Sequence, residues 1–211
     1  LEDIPFEKDN YRDLESLSSI DLESLHQCLH DLCEAKEVQI PLFDFGQKRR
    51  AGIRDTIKLA EGEVAIIEGL HALNPEIYQK HVMEERIYKI YLNCYPVNQR
   101  NSQSRLLRRL VRDYHFRSTD ALQTFSMWDS VRAGEKKYIS PFEPLANVSI
   151  NTFFEYEASV LKRDAMKILS DVPQTSKYAE KANHILDFLS SYIEIEKDLV
   201  PKNSLLREFI G

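Results

Sequence analysis

The sequence predicts an α/β fold in which a parallel sheet is covered by helices. Short apolar, β-branched or aromatic stretches at residues 64–67, 87–92 and 148–150 read as strands, and longer segments of helical periodicity lie between and after them. Strands that alternate with helices need crossover connections, which favour parallel pairing with helices on both faces. A composition of 43% hydrophobic and 29% charged residues over 211 positions suits one sizeable core, so a single domain spanning 1–211 is expected.

The elements follow in order. Asp21 is a capping residue ahead of Leu22, Leu25, Leu29 and Leu32, which recur at helical spacing and form an apolar stripe. Val38-Gln39-Ile40-Pro41-Leu42-Phe43-Asp44-Phe45 alternates like a strand, and a glycine-containing turn over 45–52 lets residues 55–59 pair back as a hairpin. Val64-Ala65-Ile66-Ile67 and Ile87-Tyr88-Lys89-Ile90-Tyr91-Leu92 read as buried strands. Helices are predicted over 101–116, 119–134, 153–169 and 178–193, with Val148-Ser149-Ile150 as a short interposed strand. No internal repeat or low-complexity segment interrupts the chain.

Charge and cysteine content exclude several classes. With 28 Lys and Arg against 34 Asp and Glu, the formal charge is -6, unlike the broad basic face of a general nucleic-acid binder. Three cysteines are too few and too unevenly placed for a disulfide framework, which points to a reducing, cytoplasmic setting. No apolar run approaches the ~20 residues that cross a bilayer, and the first residues lack the basic and apolar regions of a signal peptide. Leu1 is not a methionine, so the chain is expected to begin inside a longer sequence or after processing.

The chemistry-bearing residues start with Glu68, which closes the predicted strand 64–67. A carboxylate at the carboxyl end of a buried strand stands where open α/β sheets bind ligands, and it suits Mg²⁺; a glutamate that merely ends a strand in solvent is the other reading. In Arg105-Leu-Leu-Arg108-Arg109-Leu-Val-Arg112-Asp113 the arginines recur at i, i+3, i+4 and i+7, giving four cations on one helical face with Arg117 as a fifth. Guanidinium groups grip phosphate oxygens bidentately, so this face suits polyphosphate; a solvated face paired to acids such as Asp113 explains it as well. Tyr114, His115 and Phe116 add an RNA-binding reading of smaller weight. Phe43 and Phe45 project to one side of their strand, with Asp44 on the other, and serve either a nucleobase or the core. His26, His30 and Cys33 lie beside the leucine stripe without a matching second ligand group, so a zinc site is rejected. Phe125, Met127 and Trp128 read as core, and no Ser-His-Asp or Cys-His arrangement stands out.

These segments together resemble the uridine kinase and phosphoribulokinase family, particularly bacterial members with a TGS-type region before the kinase domain. The resemblance rests on Tyr11-Arg-Asp13-Leu-Glu-Ser-Leu17, residues 38–45, Ile67-Glu-Gly-Leu-His-Ala-Leu-Asn-Pro75, residues 105–113, Trp128-Asp-Ser-Val-Arg-Ala-Gly-Glu-Lys-Lys-Tyr138 and Asn203-Ser-Leu-Leu-Arg-Glu-Phe-Ile210. It implies a P-loop kinase-type sheet, a small β-hairpin, an arginine-bearing helical lid with its following helix over 98–137, and a C-terminal helical extension over 173–211. It also implies ATP or GTP as phosphate donor, Mg²⁺ as cofactor and a nucleoside or similar small hydroxyl compound as acceptor. A homo-oligomer is compatible with it; nucleic acid and membrane partners are not expected.

By that resemblance Asp13 binds the ribose, Phe43 and Phe45 line the base pocket, and Glu68 serves magnesium. Arg105 and Arg108 fall where family members contact phosphates or substrate, Arg112 and Arg117 complete the lid, and Gln123 matches a substrate-contacting glutamine. Lys48 stands near the place of a base-contacting histidine, a departure that bears on uridine specificity. The larger departure is that G-x-x-x-x-G-K-[ST] occurs nowhere in the 211 residues. The family's general-base aspartate would precede residue 1. Without that loop a backbone cradle for the β-phosphate, its lysine and its Ser or Thr are lacking, and these residues alone are not expected to turn over.

Overall fold

The computed structural model describes residues 16–44, 49–80, 82–95 and 103–211. The chain divides into two compact units, one of residues 1–91 with 133–148 and the other of residues 92–132 with 149–211.

In the first unit, helix α1 (Leu22–Cys33) starts where Asp21 accepts the Ser24 amide at 3.1 Å. Such a cap contributes about 1 kcal/mol by satisfying one of the orphan amides of the first turn. That amide, chiefly, holds the Asp21 carboxyl below its usual range. The apolar stripe of α1 packs on the short helix α2 (Pro75–Tyr78), with Leu29, Ile77 and Tyr78 buried and Leu22 and Leu25 alongside. Asn74 caps α2 through the Glu76 amide, and Pro75 occupies the first turn, where its missing N–H costs nothing. His26 Nε2 donates to the Glu76 carbonyl at 2.8 Å, which ties the two helices.

Strand β1 (Val38–Asp44) pairs antiparallel with β2 (Arg49–Ile57), the hairpin the sequence predicts. Pairing extends further than expected, beginning at Arg49 inside the segment read as turn. The register shifts on either side of Pro41, which has no N–H for the ladder. Ala51 and Gly52 together face Leu42, and Gly52 takes φ +119°, a conformation that a side chain would strain. Across from Phe43, Arg50 donates to Asp21 and Ser24, joining the hairpin to the start of α1.

Strands β3 (Ile90–Asn93) and β4 (Val148–Asn151) form the second pair. Lys89 O accepts from Asn147, and Asn93 O accepts from Thr152, so the partners advance in the same direction and the pair is parallel. With these strands and the helices around them the protein is a mixed α/β fold of the expected class. Two strand expectations need correction. Residues 64–67 form no strand: Val64 is 83% and Ile66 93% exposed. Four residues hold as a strand only where neighbours satisfy their amides and carbonyls, and no described segment pairs with these. The segment read as 87–92 narrows to 90–93 and is half-buried rather than buried, with Tyr91 inside and Ile90 and Leu92 outside, since β4 is its one neighbour among the described residues.

The second unit carries the larger core. Helices α3 (Ser104–Arg117), α5 (Glu157–Ser170), α6 (Ala179–Ser190) and α7 (Arg207–Ile210) close around it, joined by the first turns of α4 (Ala121–Tyr138). Leu107, Leu161 and Leu189 are fully buried, each contributing about 1.5–3 kcal/mol. Phe125 belongs to this core and Trp128 lies against it, as predicted, whereas Met127 is exposed. Asp120 and Gln123 cap α4 reciprocally: the Gln123 amide donates to Asp120 Oδ1 at 2.8 Å and the Asp120 amide to Gln123 Oε1 at 3.4 Å. The C-terminal segment is anchored by Arg207, whose guanidinium donates to the carbonyls of Lys197, Val200 and Gly211.

Candidate functional site: the arginine helix

Helix α3 is 14 residues long and carries five arginines against the single carboxylate of Asp113, a formal +4 in a chain of net charge -6. Leu106, Leu107, Leu110 and Val111 face the core. The arginines do not act as one face. At about 100° per residue, Arg108 lies only ~60° from Val111 and ~40° from Ser104, and these neighbours draw it inside with them. Its side chain is 7% exposed and donates to Glu157 Oε2 at 2.6 Å and to the Thr152 carbonyl at 2.5 Å. The four-cation face expected from spacing is therefore corrected to a face without Arg108.

Asp113 gathers the others. Its carboxylate, 2% exposed, lies within ion-pair distance of Arg109 Nε at 3.1 Å, Arg112 Nη2 at 3.1 Å and Arg117 Nη1 at 3.6 Å, and it accepts hydrogen bonds from Arg112. Its carbonyl closes the helix by accepting from Ser118, in the left-handed region at φ 50°, and from Thr119. Three guanidinium groups thus converge on one carboxylate, which neutralises only one of them. The pairing to Asp113 that spacing left open is present, and it leaves a cationic surplus. Arg109 belongs to the arginine set that spacing picked out, whereas the family resemblance assigned it no role, although its i, i+4 relation to Asp113 was visible.

Beyond Asp113, His115 Nε2 meets Asp164 Oδ2 of α5 at 2.9 Å, and Lys197 Nζ reaches the same oxygen at 2.6 Å. Burial pushes the Asp164 carboxyl up most strongly of any single influence, but the Lys197 and His115 bonds together outweigh it, and the group sits below its usual range. A carboxylate depressed in the folded state adds stability that is complete above the unfolded value of about 3.9 and is lost as pH falls through the folded value. Asp164→Asn is expected to lower stability by about 1–3 kcal/mol at pH 7 and to flatten the decline in melting temperature below about pH 4. Thermal melts of both proteins from pH 7 to pH 3 check this; parallel acid limbs would show that Asp164 carries no linkage.

The remaining predicted residues fall as follows. Arg105 is half-buried on α3, and exposed Gln123 is engaged in the α4 cap. In the first unit Phe43 is 45% exposed on the hairpin, and Glu68 is exposed in irregular chain. Asp13, Phe45 and Lys48 lie outside the described residues. Among the described residues no group of three or more His, Cys, Asp or Glu side chains could hold a metal ion, and no helix is long and apolar enough to cross a membrane.

The chain belongs to the phosphoribulokinase / uridine kinase family, whose model matches residues 2–157. It is 24% identical over 202 residues to a uridine kinase of Saccharomyces cerevisiae, covering 95% of this chain and 33% of that one. It is 25% identical over 134 residues to a uridine kinase of Ureaplasma parvum serovar 3, covering 63% and 59%. A 57-residue stretch, 27% of this chain and 8% of the other, is 37% identical to the Arabidopsis thaliana protein named inorganic pyrophosphatase TTM2. The chain spans between a third and three-fifths of the length of those two uridine kinases. The family that the model describes is one of kinases.

Proposed function

We propose that these residues belong to a nucleoside kinase that transfers the γ-phosphoryl group of ATP or GTP to the 5'-hydroxyl of a uridine-like nucleoside. The observation that carries the reading is the cationic surplus on α3, where Arg109, Arg112 and Arg117 share one buried carboxylate in a chain of this family. Phosphoryl transfer asks the protein mainly for positioning and for cations aimed at the phosphate oxygens. In this reading Arg105, Arg112 and Arg117 meet the donor phosphates, Asp13 and Gln123 hold the acceptor, and Phe43, Phe45 and Lys48 face its base. Magnesium is commonly held by one or two carboxylates together with phosphate oxygens and water. Glu68, with an exposed carboxylate, fits as one such ligand and supplies no more than one.

A second reading keeps the fold and the cationic helix without the chemistry. It is a nucleotide-binding or interaction module without catalysis. A related kinase acting on another small hydroxyl compound is a variant of the first reading. The decisive assay is ADP release by the longest product of the gene, with ATP, Mg²⁺ and a nucleoside panel, beside these 211 residues alone and an Arg112→Ala variant. Nucleoside-stimulated release by the long product, lowered about 10²-fold or more in the variant and absent from the 211-residue chain, is the expected result. Nucleotide binding with no stimulating acceptor would leave the module reading in its place.

A further inference from the structure

We propose that Arg108 is a positioning residue, locked in a socket made by Glu157, Thr152 and Phe209, and that its charge is spent inside the protein rather than on a phosphate. This deepens the anion-binding reading of α3 above and rests on it. Four observations carry it, all within the second unit.

Arg108 Nη2 bridges Glu157 Oε2 at 2.6 Å and the Thr152 carbonyl at 2.5 Å, while Nη1 reaches Thr152 Oγ1 at 3.3 Å. Glu157 is fully buried, beyond reach of any external anion, and its Oε2 also accepts the Phe154 amide at 3.1 Å. Thr152 in turn donates its hydroxyl and its amide to the Asn93 carbonyl at 2.7 and 2.8 Å. The guanidinium therefore links α3 to the end of β3, to the residues after β4 and to the first turn of α5. From the far end of the sequence, the Phe209 ring of α7 covers the guanidinium at 5.3 Å.

The pair is not tuned for stability alone, because Arg108 Nε and Glu157 Oε1 are buried without hydrogen-bond partners. A buried ion pair of that kind is commonly no more stable than an apolar pair of the same volume, and its use lies in fixing one geometry. The geometry fixed here is the rotation and height of α3, and with them the direction in which Arg109, Arg112 and Arg117 are presented. Phe209 and most of α5 lie beyond residue 157, where the family match ends, so the C-terminal helix supplies part of the setting of the arginine helix.

The test uses inorganic tripolyphosphate as probe, with affinity read by calorimetry at a temperature where circular dichroism shows each variant folded. If Arg108 positions α3, Glu157→Gln loosens the socket and weakens binding about three- to ten-fold, and Arg108→Met/Glu157→Leu together, which refill the site with apolar volume, restore affinity to within about three-fold of the parent. Phe209→Leu, the change least disturbing to folding, moves in the same direction as Glu157→Gln. If Arg108 instead touches the anion, the signs reverse: Glu157→Gln releases the arginine and strengthens binding, while the double variant loses it. That pattern, or a Phe209→Leu affinity equal to the parent's, overturns the proposal and leaves the anion site standing. Absence of tripolyphosphate binding by the parent protein overturns the anion site itself, and the positioning role with it.

Discussion

Replacing Glu157 with alanine is expected to lower the unfolding free energy of the second unit by about 3–5 kcal/mol. The substitution leaves Arg108, 7% exposed, as an uncompensated charge in the interior. It also removes the acceptor of the Phe154 amide and an acidic side chain from the first turn of α5, where the helix dipole favours one. Within the same packing, one carbonyl and one hydroxyl of Thr152 remain to the guanidinium, too little to replace a carboxylate. Urea unfolding followed by far-UV circular dichroism measures the effect as a lower midpoint at an unchanged slope. A loss under about 1 kcal/mol would mean that Arg108 escapes to solvent, and that the burial seen here does not constrain it.

Asp113→Asn is expected to move stability and anion affinity in opposite directions. Asparagine keeps the shape but leaves Arg109, Arg112 and Arg117 without their shared counter-charge, at a cost of about 3 kcal/mol. With that competing carboxylate gone, tripolyphosphate binds more tightly by about ten-fold, with a steeper salt dependence. Melting temperature and calorimetric affinity measured on one preparation separate the two effects. A variant that loses both would place Asp113 in the role of ordering the arginines for the anion, and would remove the idea that the carboxylate competes with it.

Much of the framework was legible in the residues. The Asp21 cap, the leucine stripe of α1, the hairpin partners of residues 38–44 and the four long helices all follow from local rules, because capping, periodicity and turn chemistry act over a few residues. The concentration of arginine on one helix was equally plain. What local pattern misjudged was burial. Val64-Ala65-Ile66-Ile67 has the composition of a central strand, yet a strand is completed by its neighbours, and no described segment supplies them. Arg108 reads as one more exposed cation of a periodic set, yet it stands at the border of the apolar stripe, where packing decides which way a long side chain turns.

The sequence by itself determined the fold class, the first helix and the four long helices after it, and the surplus of cations on α3, since each is written in composition and short-range spacing. Only the tertiary structure decided how that charge is distributed. Asp113 could be paired with Arg109 and Arg117 from helical geometry, but Glu157 lies 49 residues from Arg108 and Phe209 lies a further 52 beyond Glu157. Contacts over such separations carry no periodic signature, and they arise when burial of leucine, valine and isoleucine side chains brings distant segments together. The hydrophobic stripe of α3 sets which side of the helix faces inward, and the residues packed there determine that one arginine of the five is held inside by a carboxylate and a ring.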